Sequence, residues 1–349
     1  MSERETLITP IPTQWIGPLR ISGNVLQEEV YVPLATYETP LWPSVGRGAS
    51  ISREVASGIT VTITGEKMTR SVIFTADSAV VAVAAAERIE QCFANLAELV
   101  VQQSRFAQLT EISTEIVGNL LFVRFAFTTG DASGHNMVTA AAEKLMNEIL
   151  SWDLGLSYGS ISGNVCADKK PAAVNSILGR GKAAIAEIFL PHEIVTRRLR
   201  SSAAKITELS TQKNLVGSIL AGSVRAANAH YANMLLGVYL ATGQDAANIV
   251  EGSQGITYAQ ERLGGLYFSC TLSNLIMGTV GNGKNLCRIT ENLRRMGCAE
   301  ARDPGENARR LAAITAATVL CGELSLLAAQ TNPGELMATH VAIERKHGV

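Results

Sequence analysis

Three short polar strings interrupt an otherwise apolar chain and carry residue types able to do chemistry. In Ser162 to Pro171 (SGNVCADKKP), Asp168, Lys169 and Lys170 put three charges and a proline into an apolar neighbourhood. Adjacent lysines on a loop are most simply solvated, whereas a lysine beside an aspartate in a cleft is a cation for a developing oxyanion. In GQDAA, Asp245 is a lone carboxylate among small residues, costly to bury unless paired. Gly130 to Met137 (GDASGHNM) is a small polar loop that opens a helix. Its free N–H groups suit an anion, or simply an ordinary cap. His340, near the C-terminus, reads on its own as a surface histidine.

Generic nucleotide signatures fail. Gly278 to Lys284 satisfies GxxxxGK, but a phosphate loop needs Ser or Thr next to ligate magnesium, and Asn285 stands there. A glycine turn is the simpler reading, and a phosphate-loop kinase or NTPase is kept as the alternative. No GxGxxG follows a strand, so the usual dinucleotide fold has no support.

These strings must be positioned by a chain of 349 residues, long enough for about two domains. It is 47% hydrophobic and only 17% charged, against about 25% in typical domains, which excludes a disordered chain. A net charge of −1 leaves no overall field for nucleic acid or an anionic membrane. So few charges also predict that a second subunit covers part of the surface. Six cysteines without CxxC or zinc-ligand spacing imply a reducing compartment. Leu263–Gly283 lacks charge but is too rich in Gly, Ser, Thr and Asn to span a bilayer. A soluble, cytoplasmic protein is expected.

Residues 1–70 are rich in β-formers, with strands expected at Val25–Ala35 and Gly58–Gly65. Residues 71–160 read as strand (Ser71–Ala76), helix to about Val101, strands Leu109–Ile116 and Asn119–Thr128, and helix Met137–Trp152. That is a compact α+β unit inside a larger chain. Lys182–Glu208, Leu215–Thr242 and Gly305–Ala329 look helical, the last apolar all round and therefore buried.

Taken in order, the strings resemble the hydroxymethylglutaryl-coenzyme A reductase family. PLATYE, GDASGHNM, SGNVCADKKPAAVN, GRGK, KNLVGS, NAHYAN, GQDAAN, GTVGNG and PGENAR carry the resemblance from about Trp15 to near the C-terminus. DKKPAAVN and PGENAR are closer to the eukaryote-like class than to the NADH-using bacterial class.

The resemblance implies a large, mostly helical substrate domain (1–70 and 161–349, with tail 335–349 closing the site). A small ferredoxin-like α+β domain (71–160) would be inserted in it for NADP(H). The family reduces a thioester to a primary alcohol with two hydrides, through mevaldehyde. By motif, the resemblance makes Glu38 the acid, Lys169 the cation, Asp245 the carboxylate bridging them and His340 the acid for the departing thiolate. It places the hydroxymethylglutaryl group on Ser44, Arg70, Ser162, Asn164, Asp168, Lys170, Lys213, His230 and Asn233. It assigns the cofactor Ser104, Arg105, Asp131, Asn136, Val280, Gly281 and Arg345. NADPH is favoured over NADH, no metal is implied, and a homodimer with sites at the subunit boundary is expected. Synthesis and oxidative breakdown of mevalonate use the same residues. The chain departs from the family at Tyr37-Glu38-Thr39-Pro40, where TTEG is usual, and at Trp42, which replaces a small aliphatic residue. Ser133 and His135 stand where methionines are common.

Overall fold

The computed structural model describes residues 8–338 and Val341. Its frame is a sheet in the order β2-β1-β3-β7-β9-β8. The strands are β1 (Thr13–Gly23), β2 (Glu28–Ala35), β3 (Ile59–Ala76), β7 (Gly181–Pro191), β8 (Gly255–Arg262) and β9 (Gly265–Leu275). Only the β1–β3 pairing is parallel; the rest run antiparallel. Helix α1 (Leu41–Ser52) and the long helix Glu306–Gln330 pack on this sheet. Gly48 of α1 faces Cys321 of the long helix so closely that a Cβ would lie 2.4 Å from its backbone. Glycine there lets the two helices touch.

The strands expected at 58–65 and 71–76 are one 18-residue strand, β3, that runs through both halves of the molecule. Its first part pairs with β7. Its second pairs with β5 (Leu120–Thr128) and β6 (Leu156–Ser160), while β4 (Gln108–Val117) pairs with β5. With α2 (Ala79–Gln91) and α3 (Phe93–Gln103) counted as one broken helix, and α4 (His135–Leu150), the segment reads β-α-β-β-α-β with order β4-β5-β3-β6, a ferredoxin-like unit. The helix expected to run unbroken to Val101 is interrupted at Cys92. A core of Val72, Phe74, Phe125, Phe127, Leu145 and neighbours lies in this unit, and a separate, larger core lies under the first sheet.

Two helical expectations are corrected. Lys182–Glu208 begins as strand β7, followed by a π-helical turn at Val195–Leu199 and a helix at Ala203–Leu209. Leu215–Thr242 is interrupted after Leu220, and helix resumes only at Tyr231–Ala241. Glu306–Gln330 is long and apolar enough to cross a membrane, yet it is buried in the core almost throughout.

Candidate active site

The loop between β6 and β7 carries Asp168 and Lys169. Three of its non-glycine residues, Asn164 (φ 59°), Ala167 (φ 41°) and Lys169 (φ 57°), are left-handed, a conformation that persists only where surroundings enforce it. The enforcement is visible. Ser71 Oγ accepts from the N–H groups of Val165 and Cys166 (3.0 and 3.3 Å). Asn175 donates to the Ala167 carbonyl at 3.1 Å. The Lys169 N–H donates to the buried Glu251 carboxylate at 3.2 Å.

Held this way, Lys169 Nζ lies 2.7 Å from Asp245 Oδ2. Asp245 sits just before a short 3₁₀ turn, and its Oδ1 accepts from the Ala247 N–H at 3.1 Å. The hydrogen bond to Asp245 raises the Lys169 pKa. Burial pushes the Asp245 carboxyl up, but Lys169 and the Ala247 N–H outweigh it and hold the carboxyl below its ordinary value. The pair is therefore a fixed ammonium–carboxylate.

Asp168 turns inward, where Oδ1 accepts from Arg180 at 2.6 Å. Arg180 is buried and also donates to the Thr69 carbonyl of β3. His135 Nε2, at the start of α4, is 3.6 Å from the same oxygen. Burial raises the Asp168 carboxyl, but these two neighbours drive it far below the carboxylate range. Around this loop, Arg70 donates to the Ile161 carbonyl and Lys170 to the Asp168 carbonyl, each at 3.1 Å. Ser162 and Asn164 are exposed.

Glu38 lies elsewhere. Its Oε2 accepts from Asn233 at 3.0 Å, and both line a cavity of about 500 Å³ with Ser44, His230 and the arginines 47, 198 and 200. Buried Glu323 organises this side by accepting from the Ala229 N–H, the His230 N–H and the Thr257 hydroxyl. Its Oε1 is 3.2 Å from His230 Nδ1. Burial lowers the pKa of His230, and also that of Lys213, which donates to Gln330 at 2.8 Å. Among the described residues no hydrogen bond or ion pair joins Glu38 to Lys169 or Asp245. Trp42 is buried, its Nε1–H on the Leu34 carbonyl, and does not line this cavity.

Of the residues assigned to the cofactor, Arg105 lines a second, smaller cavity, which Glu66 also borders. Arg105, Thr128, Gly130, Gly305 and Arg309 line about 270 Å³. The N-terminus of helix Glu306–Gln330 opens beside it, a favourable place for an anion. Ser104 Oγ is engaged by the N–H groups of Phe106 and Ala107. Asp131 is a linker: its Oδ1 accepts from the Ala308 N–H at 2.9 Å and its carbonyl from the Thr279 N–H at 2.8 Å. The GDASG and GTVGNG loops thus lie together, leaving Asn136 and Val280 exposed, with open space at Gly281. His340 and Arg345 lie outside the described residues. No group of three or more His, Cys, Asp or Glu residues able to hold a metal occurs among the described residues.

The phosphate-loop alternative is not favoured: the Lys284 ammonium is buried on the Gly243 carbonyl. Sequence reasoning missed Arg180, Glu251, Glu323 and Arg47. The one available signal was Glu323, a carboxylate inside a helix apolar on every side.

Fold and site together define an α+β protein with a ferredoxin-like unit in place of the usual dinucleotide fold, and an ammonium–carboxylate pair on a strained loop. The profile of the family "Hydroxymethylglutaryl-coenzyme A reductase" matches residues 1–345. The 3-hydroxy-3-methylglutaryl-coenzyme A reductase of Pyrococcus abyssi is 44% identical over 342 residues, 97% of this chain and 82% of that protein. The enzyme of that name from Methanothermobacter thermautotrophicus is 43% identical over 336 residues, 96% of this chain and 81% of that one. A class II 3-hydroxy-3-methylglutaryl-CoA reductase from Streptococcus pneumoniae, solved bound to NADPH in open conformations, shares the fold. Its TM-score is 0.75 at 20% identity, covering 95% of this chain and 88% of its own. The chain belongs to the hydroxymethylglutaryl-coenzyme A reductase family.

Proposed function

We propose that this chain reduces 3-hydroxy-3-methylglutaryl-coenzyme A to mevalonate and free coenzyme A, consuming two NADPH and two protons. The observation that carries this reading is the Lys169–Asp245 pair on its enforced loop. Thioester reduction builds negative charge on a carbonyl oxygen twice, and a fixed cation stabilises that charge best when it need not reorganise. With its pKa raised, Lys169 stays an ammonium throughout the neutral range, so it supplies charge while Glu38 supplies the proton. Asp245 aims Lys169 and keeps it protonated. His340 is assigned to the coenzyme A thiolate.

Substrate would enter the cavity beside Glu38, where Arg47, Arg198 and Arg200 would meet the carboxylate and phosphates of a coenzyme A thioester. NADPH supplies the hydrides when bound. The residues present fit it: Arg105 and the helix N-terminus line one anion-friendly cleft, which supports phosphate binding there. Residues 71–160 would then be the cofactor domain, and Arg105 and Arg345 would favour NADPH over NADH through the 2′-phosphate. We read the protein as a soluble cytoplasmic enzyme working as a homodimer or a dimer-based oligomer.

A coupled assay of NADPH oxidation with the thioester tests the reading. Lys169→Ala should lower the rate by about 10²–10³, the usual cost of one oxyanion donor. Activity within a few-fold of the unmodified protein would reject it.

A further inference from the structure

Lys284 is among the buried charges that the mechanism leaves unused. Lys284 ends the GTVGNGK string, is nearly inaccessible to solvent, and forms no ion pair among the described residues. Burying an ammonium without a carboxylate is costly, so a core position of this kind ordinarily holds an apolar residue. The ammonium rests on the carbonyl of Gly243, two residues before Asp245. The two loops are stacked here. A Cβ on Gly243 would lie 2.6 Å from the Gly283 carbonyl oxygen, and both glycines have positive φ. Gln244, between Gly243 and Asp245, is clamped to the same string: its amide donates to the Gly278 carbonyl and accepts from the Gly278 N–H, each at 2.9 Å.

The ionised groups around Lys284 are few. From the loop beginning at Gly243, Asp245 is the one whose field reaches it. Lys169 and His135 also act on Asp245. From helix Cys287–Arg295, Thr290 offers a hydroxyl to the Lys284 carbonyl and no charge.

We propose that Lys284 is a positioning residue for the reacting pair, a second cation behind Asp245 that fixes this carboxylate while Lys169 faces substrate. The proposal rests on the reading of Lys169 and Asp245 given above. Its logic is electrostatic. During oxyanion formation Lys169 is drawn toward the substrate oxygen and shares its charge there. A second cation keeps Asp245 compensated at that moment, so the carboxylate neither swings after Lys169 nor takes up a proton. Burial pushes the Lys284 pKa down to about 8, with Asp245 partly opposing the fall. The second cation is therefore lost just above neutral pH.

The test compares Lys284→Met, which removes donor and charge, with Lys284→Gln, which keeps a donor and removes the charge. Steady-state kinetics with the coenzyme A thioester and NADPH should show kcat lowered about tenfold or more in both variants, with each KM within about threefold. The unmodified enzyme should lose kcat above about pH 8, and this limb should vanish from both variants. Melting temperatures should stay within a few degrees, since an unpaired buried charge contributes little stability. If Lys284→Met fails to fold, Lys284→Gln carries the comparison alone. Full activity in Lys284→Gln would overturn the proposal, because a hydrogen bond would then suffice. An unchanged alkaline limb in the variants would overturn it equally. Asp245→Asn, assayed alongside, separates the levels. If it retains activity, the reading of the pair fails. If it is inactive while the Lys284 variants work normally, only the role of Lys284 fails.

Discussion

A carboxylate that must remain ionised beside the proposed reacting lysine needs a cation that cannot leave, and Asp168 has one in Arg180. Arg180 is almost wholly buried and reaches from Asp168 to Thr69, so the contact joins the lysine loop to β3. Asp168→Asn removes the carboxylate and strands the guanidinium, which typically costs about 3–5 kcal/mol. The pH dependence has a definite sign. The folded-state pKa of Asp168 lies below its unfolded value, so its contribution is full above the ordinary carboxylate range and drains away as pH falls below it. The variant should therefore melt well below the unmodified protein at pH 7, with the gap narrowing only below about pH 4 and still partly open at pH 3. A gap that stays constant across that range would show that the contact does not act through ionisation. Asp168 and Lys169 were legible in the sequence because charges are rare in their neighbourhood. Arg180 was not, because an arginine between two glycines in GRGK gives no hint of burial.

At the scale of elements, β7 shows why propensity misled. Gly181–Pro191 is rich in alanine, the best helix former, yet its burial alternates strictly, with Lys182, Ala184, Ala186, Ile188 and Leu190 inside. Alanine on both faces hides that period from the sequence, and pairing with β3 and β9 on either side decides the outcome. The ferredoxin-like unit was easier to read, because its β-branched strands and the Ser78 cap of α2 agree locally with the fold. The GDASG and GTVGNG loops, which we propose face the cofactor, meet at a close approach. A Cβ on Gly278 would stand 2.3 Å from the Ser133 nitrogen and 2.6 Å from the Asp131 carbonyl oxygen, both backbone atoms that cannot swing aside. Gly278→Ala should part the loops and raise the KM for NADPH about tenfold, the effect of about 1.4 kcal/mol, with a smaller change in the KM for the thioester. Steady-state kinetics varying each substrate in turn will check this. An unchanged KM for NADPH would remove these loops from the cofactor site.

At the scale of the whole molecule, one chain holds the parts of the proposed site in two places. Glu38 and Asn233 line the larger cavity, while the Lys169–Asp245 pair sits on another loop with its side chains 41% and 44% exposed. An ion pair that open is screened by water and worth little, so it must be covered before it can polarise a carbonyl strongly. A second copy would supply both the cover and the missing acid. The surface has the character this requires: Leu215, Val216, Ile219, Leu220 and Val224 are all exposed within one short stretch. If each site takes Glu38 from one subunit and Lys169 from the other, two dead variants should rescue each other. Glu38→Gln and Lys169→Ala homodimers should each be inactive. After equal mixing with subunit exchange, about half the dimers are mixed. Each mixed dimer has one site carrying both lesions and one site carrying neither, so about a quarter of full activity should return. The mixture should approach that value as exchange proceeds, and chemical cross-linking of the homodimers before mixing should prevent it. Activity that stays near zero after exchange is complete, as followed by native mass spectrometry, would place Glu38 and Lys169 of one reacting site in the same chain.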